Sequence, residues 1–206
     1  MRNVWWFFIL LLFVHSSVDG AEWKRLGLQA GLVSANLTGR SKSVNTEPRF
    51  GRYGKLSFGI AFDETYNLES GIAFIEKGWR VTNGDTTDAY NLDYLEVPII
   101  IRIHLRQTPV FQSSVFVGLV WGYNLNAIRR TTSARLNENT LLDWIRKDEF
   151  SISTGLGLSF PTRIGLLTID ARYQLGFTTT VKNTTPDFNI DWRNETVALI
   201  IGYMFR

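Results

Sequence analysis

Residues 92–105 read "LDYLEVPIIIRIHL", an aliphatic run that carries charged side chains along its length. Every second residue from Leu95 onwards is aliphatic, while Glu96, Arg102 and His104 lie between them. A membrane-spanning helix would need about 20 mostly apolar residues, and the proline in this run would cost a helix a hydrogen bond. Alternation with a period of two instead puts the aliphatic residues on one face of a β-strand and the charges on the other.

Seven other segments of the chain show the same alternation, and each is near the ~9–11 residues that a tilted strand needs to cross a bilayer. These segments are residues 25–35, 55–63, 68–81, 114–125, 150–160, 166–177 and 195–205. Their second face is rich in Gly, Ala and Ser, which suits the cramped interior of an eight-stranded barrel. We therefore predict an all-β fold, an eight-stranded antiparallel up-and-down transmembrane β-barrel with its apolar face outside and its polar face inside.

The links between these segments alternate in length along the chain. Long or intermediate links at 36–54, 82–91, 126–149 and 178–194 are separated by short ones at 64–67, 106–113 and 161–165. Outer-membrane barrels have short periplasmic turns and longer extracellular loops. The alternation therefore predicts a barrel in the outer membrane of a Gram-negative bacterium, with both chain ends on the periplasmic side.

The N-terminal segment has the form of a secretory signal peptide, because Arg2 precedes an apolar run over residues 4–14. We predict a signal peptide over residues 1–20 and a single outer-membrane β-barrel domain over residues 21–206. The chain has no cysteine and a formal net charge of +3. Disulfides and cysteine metal ligands are thereby excluded, and the dispersed cations give no indication of nucleic acid as a partner.

The polar face of the predicted strands carries charges that would meet inside the barrel. The members of this lumenal polar cluster are Glu96, Arg102, Asp170, Arg172, Lys77 and Gln174, with Gln29 nearby in the pattern. Unpaired charges away from water are costly, so one hypothesis is a salt-bridged filling of a narrow lumen. The other hypothesis is a gate or ion path, for which an eight-stranded barrel leaves little room.

The opposite face is predicted to contact lipid. Its members in the fourth and last strands are Leu95, Val97, Ile99, Ile101, Ile103, Leu105, Leu199 and Ile201. Pro98 cannot donate to the strand ladder, and a bulge there would reverse the facing of the residues on one side of it. Near the C-terminus, Tyr203 and Phe205 are predicted to form the signal that the barrel-assembly machinery reads.

The segment "YLEVPIIIRI" resembles the signature strand Y-L-E-[IV]-P-L of the PorT-like outer-membrane β-barrel family of Gram-negative bacteria. A weaker resemblance covers essentially the whole chain after the signal, up to the closing strand "LIIGYMF". The resemblance implies an outer-membrane barrel, and the founding member of the family takes part in type IX protein secretion. One position departs from the family pattern: the third strand has Gly71 where a glutamate is usual, with Glu69 two residues earlier.

Three functional hypotheses follow. The first is an integral outer-membrane barrel with a structural or partner-binding role, of which a PorT-like secretion component is one form. The second is a soluble exported barrel of lipocalin or avidin type that binds an apolar ligand in its lumen. The third is a membrane enzyme. After residue 20 the only histidine is His104, in the half of its strand predicted to lie away from the outer rim. We therefore predict no catalytic residue, metal site or cofactor.

The expected partners follow from the first hypothesis. They are outer-membrane lipid and lipopolysaccharide, the barrel-assembly machinery during biogenesis, and secretion or surface proteins. The predicted link at 36–54 carries Arg40, Lys42, Arg49 and Arg52, and such cations could pair with lipopolysaccharide phosphates.

Overall fold

The computed structural model describes residues 22–39, 46–84, 86–133, 136–141, 143–182 and 192–205. The predicted signal peptide over residues 1–20 lies outside these ranges. Within them the chain forms nine strands, which are β1 (Glu22–Thr38), β2 (Glu47–Ala61), β3 (Tyr66–Asn83), β4 (Thr86–Gln107), β5 (Gln112–Ser133), β6 (Leu136–Leu141), β7 (Asp148–Pro161), β8 (Gly165–Gly176) and β9 (Arg193–Phe205). In the same ranges there is no helix of the length and apolarity needed to span a membrane.

Eight of these strands close into a ring in which each strand is antiparallel to both of its neighbours. From β1 the ring passes through β2, β3, β4, β5, β7, β8 and β9 and returns to β1. The remaining strand, β6, pairs with residues 128–133 of β5, whereas β7 pairs with residues 112–123 of the same strand. β6 and β7 therefore follow one another along one edge of β5. The predicted eight-stranded up-and-down barrel is confirmed.

The two ends of the barrel differ. Short turns at 62–65, 108–111 and 162–164 lie at one end, which we call the turn end. The opposite end, where β3, β4, β5 and β6 extend furthest, we call the loop end. Short connections at one end and long strand extensions at the other match the alternation in link length along the sequence.

Alternation of side chains puts the apolar face of the strands on the outside. Leu105, Leu199 and Ile201 are 64%, 57% and 55% exposed. Leu95, Ile99 and Ile101 are also exposed on this face, and Val97 and Ile103 are half-buried there. A soluble carrier with an aliphatic lumen would have these side chains inside the barrel, so this arrangement does not favour it.

Pro98 causes no bulge. Ser70 pairs with Ile99 and Ala73 with Glu96, so the register between β3 and β4 is the same on both sides of the proline. The Ser70 hydroxyl donates a hydrogen bond of 2.7 Å to the Pro98 carbonyl. The residues on either side of Pro98 therefore keep the facing that simple alternation predicts.

Strands at the loop end are longer than their apolar alternation indicated. β3 and β4 continue through most of residues 82–91, which the alternation assigned to a link, and the hairpin turns at Gly84 with φ of +58°. β5 likewise runs on to Ser133. Trp79 and Tyr90 are cross-strand partners whose rings stack with centroids 4.6 Å apart. Such aromatic pairs stabilise a sheet by ~0.2–1 kcal/mol each, without the apolar face that a bilayer requires.

The loop-end half of the lumen holds an apolar core. Its members include Val33, Trp79, Leu92, Tyr94 and Ile200, each at most 1% exposed. The interior of this half is therefore mixed, because apolar packing lies beside the buried polar side chains of Lys77, Glu149 and Asn194. The physical reason is that a lumen only as wide as its side chains excludes water, so apolar packing there is favourable.

Candidate functional site: the lumenal charge network

Arg102 is the centre of a charge cluster in the turn-end half of the lumen. Its Nη1 and Nη2 donate to the two carboxylate oxygens of Asp170 at 2.9 and 2.8 Å. The same guanidinium donates to Glu69 at 3.1 Å and to the Ser114 hydroxyl at 3.1 Å. This bidentate geometry is the strong form of an arginine–carboxylate pair.

Besides Arg102, two further side chains donate hydrogen bonds to Glu69. The Lys55 ammonium lies 2.5 Å from its Oε1, and the Gln29 amide donates to that oxygen at 3.1 Å. We call the set Lys55, Glu69, Arg102 and Asp170, with Gln29 and Ser114, the Arg102 cluster. Its side chains come from β1, β2, β3, β4, β5 and β8, so it joins strands around most of the ring.

A second cluster lies nearer the loop end and is centred on Lys77, which is fully buried. The Lys77 ammonium lies 2.7 Å from Glu96 and 2.5 Å from Glu149. Gln174 donates to Glu96 at 2.8 Å, and Asn194 donates to the second oxygen of Glu149. We call these five residues the Lys77 cluster.

Arg172 is a further buried cation of the lumen. Its Nη1 donates to the Tyr53 hydroxyl at 2.9 Å, and its guanidinium lies over the Tyr53 and Phe116 rings at 5.2 and 5.7 Å from their centroids. Arg102 also lies over the Phe116 ring, 4.8 Å from its centroid. Cation–π contacts of this kind help to stabilise a desolvated cation.

The buried charges of the lumen balance. Among the described residues, the buried cations are Lys55, Lys77, Arg102 and Arg172, and the buried carboxylates are Glu69, Glu96, Glu149 and Asp170. Four positive and four negative charges give a net charge of zero. A closed, charge-neutral network with hydrogen bonds to most of its members is what allows ions to remain in a narrow interior.

All six residues of the predicted lumenal polar cluster are buried inside the barrel. Lys77, Glu96 and Gln174 come together in the Lys77 cluster, Arg102 and Asp170 pair in the Arg102 cluster, and Arg172 binds Tyr53. The arrangement brings five of them into two clusters and places Arg172 against Tyr53, where the sequence suggested a single cluster.

Three charged members were missing from the prediction. Lys55 lies on the same face of β2 as Ser57, and Glu69 lies on the same face of β3 as Gly71. Alternation along each strand could therefore have identified both as lumenal. Glu149 lies one residue before the predicted strand at 150–160, because β7 begins earlier, at Asp148.

Glu69 precedes by two residues Gly71, the position at which the sequence differs from the PorT-like pattern. Its carboxylate lies two residues from Gly71 on the same face of β3 and binds Arg102 and Lys55. Gly71 has a φ of +154°, and a Cβ there would lie 2.1 Å from the Leu56 carbonyl oxygen. A glutamate at this position has no space, and the lumenal carboxylate comes from Glu69 instead.

His104 lies at the turn end of β4. Its Nε2 is 2.8 Å from the Asn67 amide nitrogen. Within the part of the chain that the structure describes, no group of three His, Asp or Glu side chains could hold a metal ion.

The loop end has its own polar contacts, outside the apolar belt. Asp88 of β4 accepts hydrogen bonds from Arg129 at 2.8 Å and from the Thr131 hydroxyl at 2.6 Å, both from β5. Partial burial opposes ionisation of the Asp88 carboxyl, but these two hydrogen bonds outweigh it and hold the pKa of Asp88 below its usual value. The contacts join two strands beyond the region where the apolar face ends.

A family model described as "Outer membrane protein beta-barrel domain" matches residues 24–182. Three solved structures show the kind of proteins that the fold is similar to. Ail, the attachment invasion locus protein of Yersinia pestis, is 15% identical, with 89% of this chain and 100% of that chain covered and a TM-score of 0.45. Neisserial surface protein A is 12% identical, with 90% and 99% covered and a TM-score of 0.49.

The outer membrane protein OprG of Pseudomonas aeruginosa is 9% identical, with 92% of this chain and 100% of that chain covered and a TM-score of 0.48. No curated protein matches the chain. Identities this low, with TM-scores below 0.5, do not carry the activities of these proteins over to this one.

Proposed function

Because the family model covers most of its length, the chain belongs to the outer membrane protein beta-barrel domain family, and we propose that it is a closed barrel that binds a partner at its loop end. Its location is the outer membrane of a Gram-negative bacterium, where such barrels have lipid and lipopolysaccharide around them. The observation that carries the proposal is the filled, charge-neutral lumen together with strands that extend beyond the apolar belt.

The lumen supports a closed barrel in two ways. In the turn-end half, Arg102 is held by two carboxylates, and nearer the loop end Lys77 is held by two more. The apolar core, which includes Trp79 and Tyr94, fills the lumen beside and beyond the Lys77 ammonium, with the Tyr94 ring centroid 4.9 Å from it. Moving an ion along this path would require breaking buried salt bridges and wetting an apolar core, both of which are costly.

The extended strands support a partner-binding role. The nine residues of β4 before Leu95 can reach about 30 Å along the strand, beyond the aliphatic belt. This region is held rigid by the Trp79–Tyr90 stack and by Asp88 bound to Arg129 and Thr131. A stiff polar sheet outside the membrane is a suitable platform for a protein or a lipopolysaccharide head group.

A PorT-like role in protein secretion is the finer form of the same proposal. Its support is the strand Tyr94-Leu95-Glu96-Val97-Pro98, whose glutamate binds Lys77 inside the barrel and whose proline is accommodated by Ser70. In this form the partner would be another component of a secretion machine, and the barrel itself would transport nothing through its lumen.

The remaining parts of the proposal concern membrane contacts and chemistry. We expect the exposed aliphatic belt that includes Leu105, Leu199 and Ile201 to contact lipid. Tyr203 and Phe205, whose rings meet edge to face at 4.9 Å, would serve the barrel-assembly machinery. The lumenal ions serve packing, and no catalysis is proposed for them because their polar atoms are engaged with one another.

The purified barrel is expected to show no conductance steps in planar lipid bilayers at neutral pH. The double variant Arg102→Ala/Asp170→Ala removes one salt bridge of the Arg102 cluster. It should also show no conductance, because the apolar core still fills the loop-end half of the lumen. Single-channel recording measures both. Reproducible, ion-selective steps from the wild-type protein would contradict the closed barrel.

Partner binding is expected to depend on the loop end. Arg130 and Arg106 are both exposed arginines, the first near the loop end of β5 and the second near the turn end of β4. After mild detergent extraction of outer membranes, Arg130→Glu should reduce the amount of co-purified protein several-fold, whereas the matched variant Arg106→Glu should not. Equal yields of partner with both variants, or no stable partner with the wild type, would argue against the proposal.

A further inference from the structure

Two arginines lie side by side on the outer face of the sheet at the loop end. Arg80 of β3 and Arg130 of β5 are both cross-strand partners of Ala89 in β4, so the three residues form one row. Neighbouring strands are about 4.8 Å apart, which puts the two arginine Cα atoms ~10 Å from each other. Trp79, next to Arg80, is buried in the lumen. Because side chains alternate along a strand and cross-strand partners share a face, the whole row points outwards.

Small residues leave space around this row. Ala89 has only a methyl group, and Gly78, two residues from Arg80 on the membrane side, has no side chain. Arg49 of β2 uses the space over Gly78, since its Cδ is 3.3 Å from the position of a Cβ there and its Nη1 donates to the Lys77 carbonyl at 3.0 Å. Arginines from three strands therefore lie around two small residues.

The charges of this surface act on one another. The pKa of Arg49 is below its usual value, because partial burial removes water from its guanidinium and because Arg130 and Arg80 repel its charge. Glu76 and Asp93, which are cross-strand partners on the membrane side, partly offset these effects. Arg49 is therefore within electrostatic reach of both arginines of the row.

Arg80 and Arg130 form no salt bridge with any of the described residues. Arg129, on the opposite face of the sheet, is in contrast paired with Asp88. Glu47 is the cross-strand partner of Arg80 on the side away from Arg130, so it does not lie between the two arginines. Two cations on either side of a small residue repel each other, and an anion bound between them would relieve that repulsion.

The row lies beyond the aliphatic belt. In β3 and β4 the last large apolar pair on this face is Phe74 with Leu95. Arg80 is six residues further along β3. That distance is about 20 Å along the strand, or ~15 Å along the membrane normal for a strand tilted by about 40°. With the loop end outwards, the phosphorylated sugars of lipopolysaccharide lie within this distance of its acyl chains.

We propose that Arg80 and Arg130, together with Arg49, form a binding site for a phosphate group of lipopolysaccharide in the outer leaflet. The inference rests on the proposed binding role of the loop end and names what its outer face binds. A guanidinium presents two parallel N–H donors to a phosphate, so two arginines on either side of Ala89 can hold one group between them. A lipid anion fits better than a protein segment, because this face continues directly from the aliphatic belt.

The test uses the full barrel in detergent micelles, with purified rough-type lipopolysaccharide as the probe and native mass spectrometry to measure the bound fraction over a titration. We expect saturable binding to the wild type. Arg80→Ala/Arg130→Ala should weaken it at least tenfold. The matched variant Arg106→Ala/Arg163→Ala removes two exposed arginines from the turn end, and should change the affinity less than twofold.

Two variants of Ala89 test the position without removing a cation. Ala89→Glu places a carboxylate between the two arginines, whereas Ala89→Gln adds a side chain of the same size without the charge. We expect the glutamate variant to bind lipopolysaccharide at least fivefold more weakly than the glutamine variant. Heat-modifiable gel migration establishes that all the variants fold.

Two chemical controls identify the group that is bound. Lipopolysaccharide from which the phosphates have been removed should bind the wild type at least tenfold more weakly, and inorganic phosphate equimolar with the intact lipid should not displace it. The proposal is overturned if Arg80→Ala/Arg130→Ala binds lipopolysaccharide as tightly as the wild type, if the phosphate-free lipid binds equally well, or if inorganic phosphate competes at that concentration. The assay contains no other protein, so such a failure is distinct from a failure to find a protein partner at the loop end.

Discussion

Lys77→Met is expected to lower the free energy of unfolding of the barrel by about 3–5 kcal/mol, the cost of removing one partner from a buried ion pair. Lys77 is fully buried and is the cation between Glu96 and Glu149, which lie 2.7 and 2.5 Å from its ammonium. Without it, two carboxylates would face each other in the lumen. The measurement is urea unfolding in lipid vesicles, followed by tryptophan fluorescence and by the heat-modifiable gel shift.

The matched control removes the charges together. In Lys77→Met/Glu96→Gln/Glu149→Gln no buried charge is left unpaired, and the glutamines still accept from Gln174 and Asn194. This triple variant should recover most of the lost stability, because replacing a whole buried ion network is often close to neutral. A single variant as stable as the wild type would mean that the cluster does not stabilise the fold as we describe.

Gly71→Ala is expected to lower stability by about 3 kcal/mol or more, although it adds a single methyl group. Gly71 has a φ of +154°, which side chains rarely adopt, and the new Cβ would lie 2.1 Å from the Leu56 carbonyl oxygen and 2.9 Å from the Ser57 Cα. Backbone strain and overpacking each cost about 1–3 kcal/mol. Neither neighbour can move easily, since both are backbone atoms of the paired strand β2.

Gly54→Ala provides the comparison. Gly54 is also a strand glycine, in the neighbouring β2, but a Cβ there would have no atom within 4 Å. Its stability should change by less than about 1 kcal/mol, in the stabilising direction, because alanine reduces the freedom of the unfolded chain. Equal unfolding midpoints for the two variants in the same vesicle assay would show that the close approach at Gly71 is relaxed in the membrane.

Much of the fold was accessible from local pattern. The alternation in "LDYLEVPIIIRIHL" correctly predicted that every second residue from Leu95 to Leu105 lies on the outer face and that Glu96 and Arg102 lie on the inner face. The facing of a side chain on a strand depends only on its position along that strand. The same rule predicted inward-facing side chains for four further residues that are buried in the lumen, namely Lys77, Asp170, Arg172 and Gln174.

The structure of the loop end was harder to predict from the sequence. Residues 82–83 and 86–91 form strand although their polar and apolar side chains do not alternate as a bilayer requires. They are held by a stacked aromatic pair and by contacts of Asp88 with β5. Cross-strand partners stabilise this extension, and a pattern read along one strand contains no information on the partner.

The sequence by itself determined the number of barrel strands, their apolar exterior and which polar side chains face inwards, because each of these depends on periodicity along the chain. Only the tertiary structure decided the pairings. Lys77 meets Glu149 across 72 residues of sequence, and Arg102 meets Asp170 across 68. Which inward side chains share a level is set by the stagger of strands around the closed ring. That stagger also decides where the lumen is filled by the apolar core.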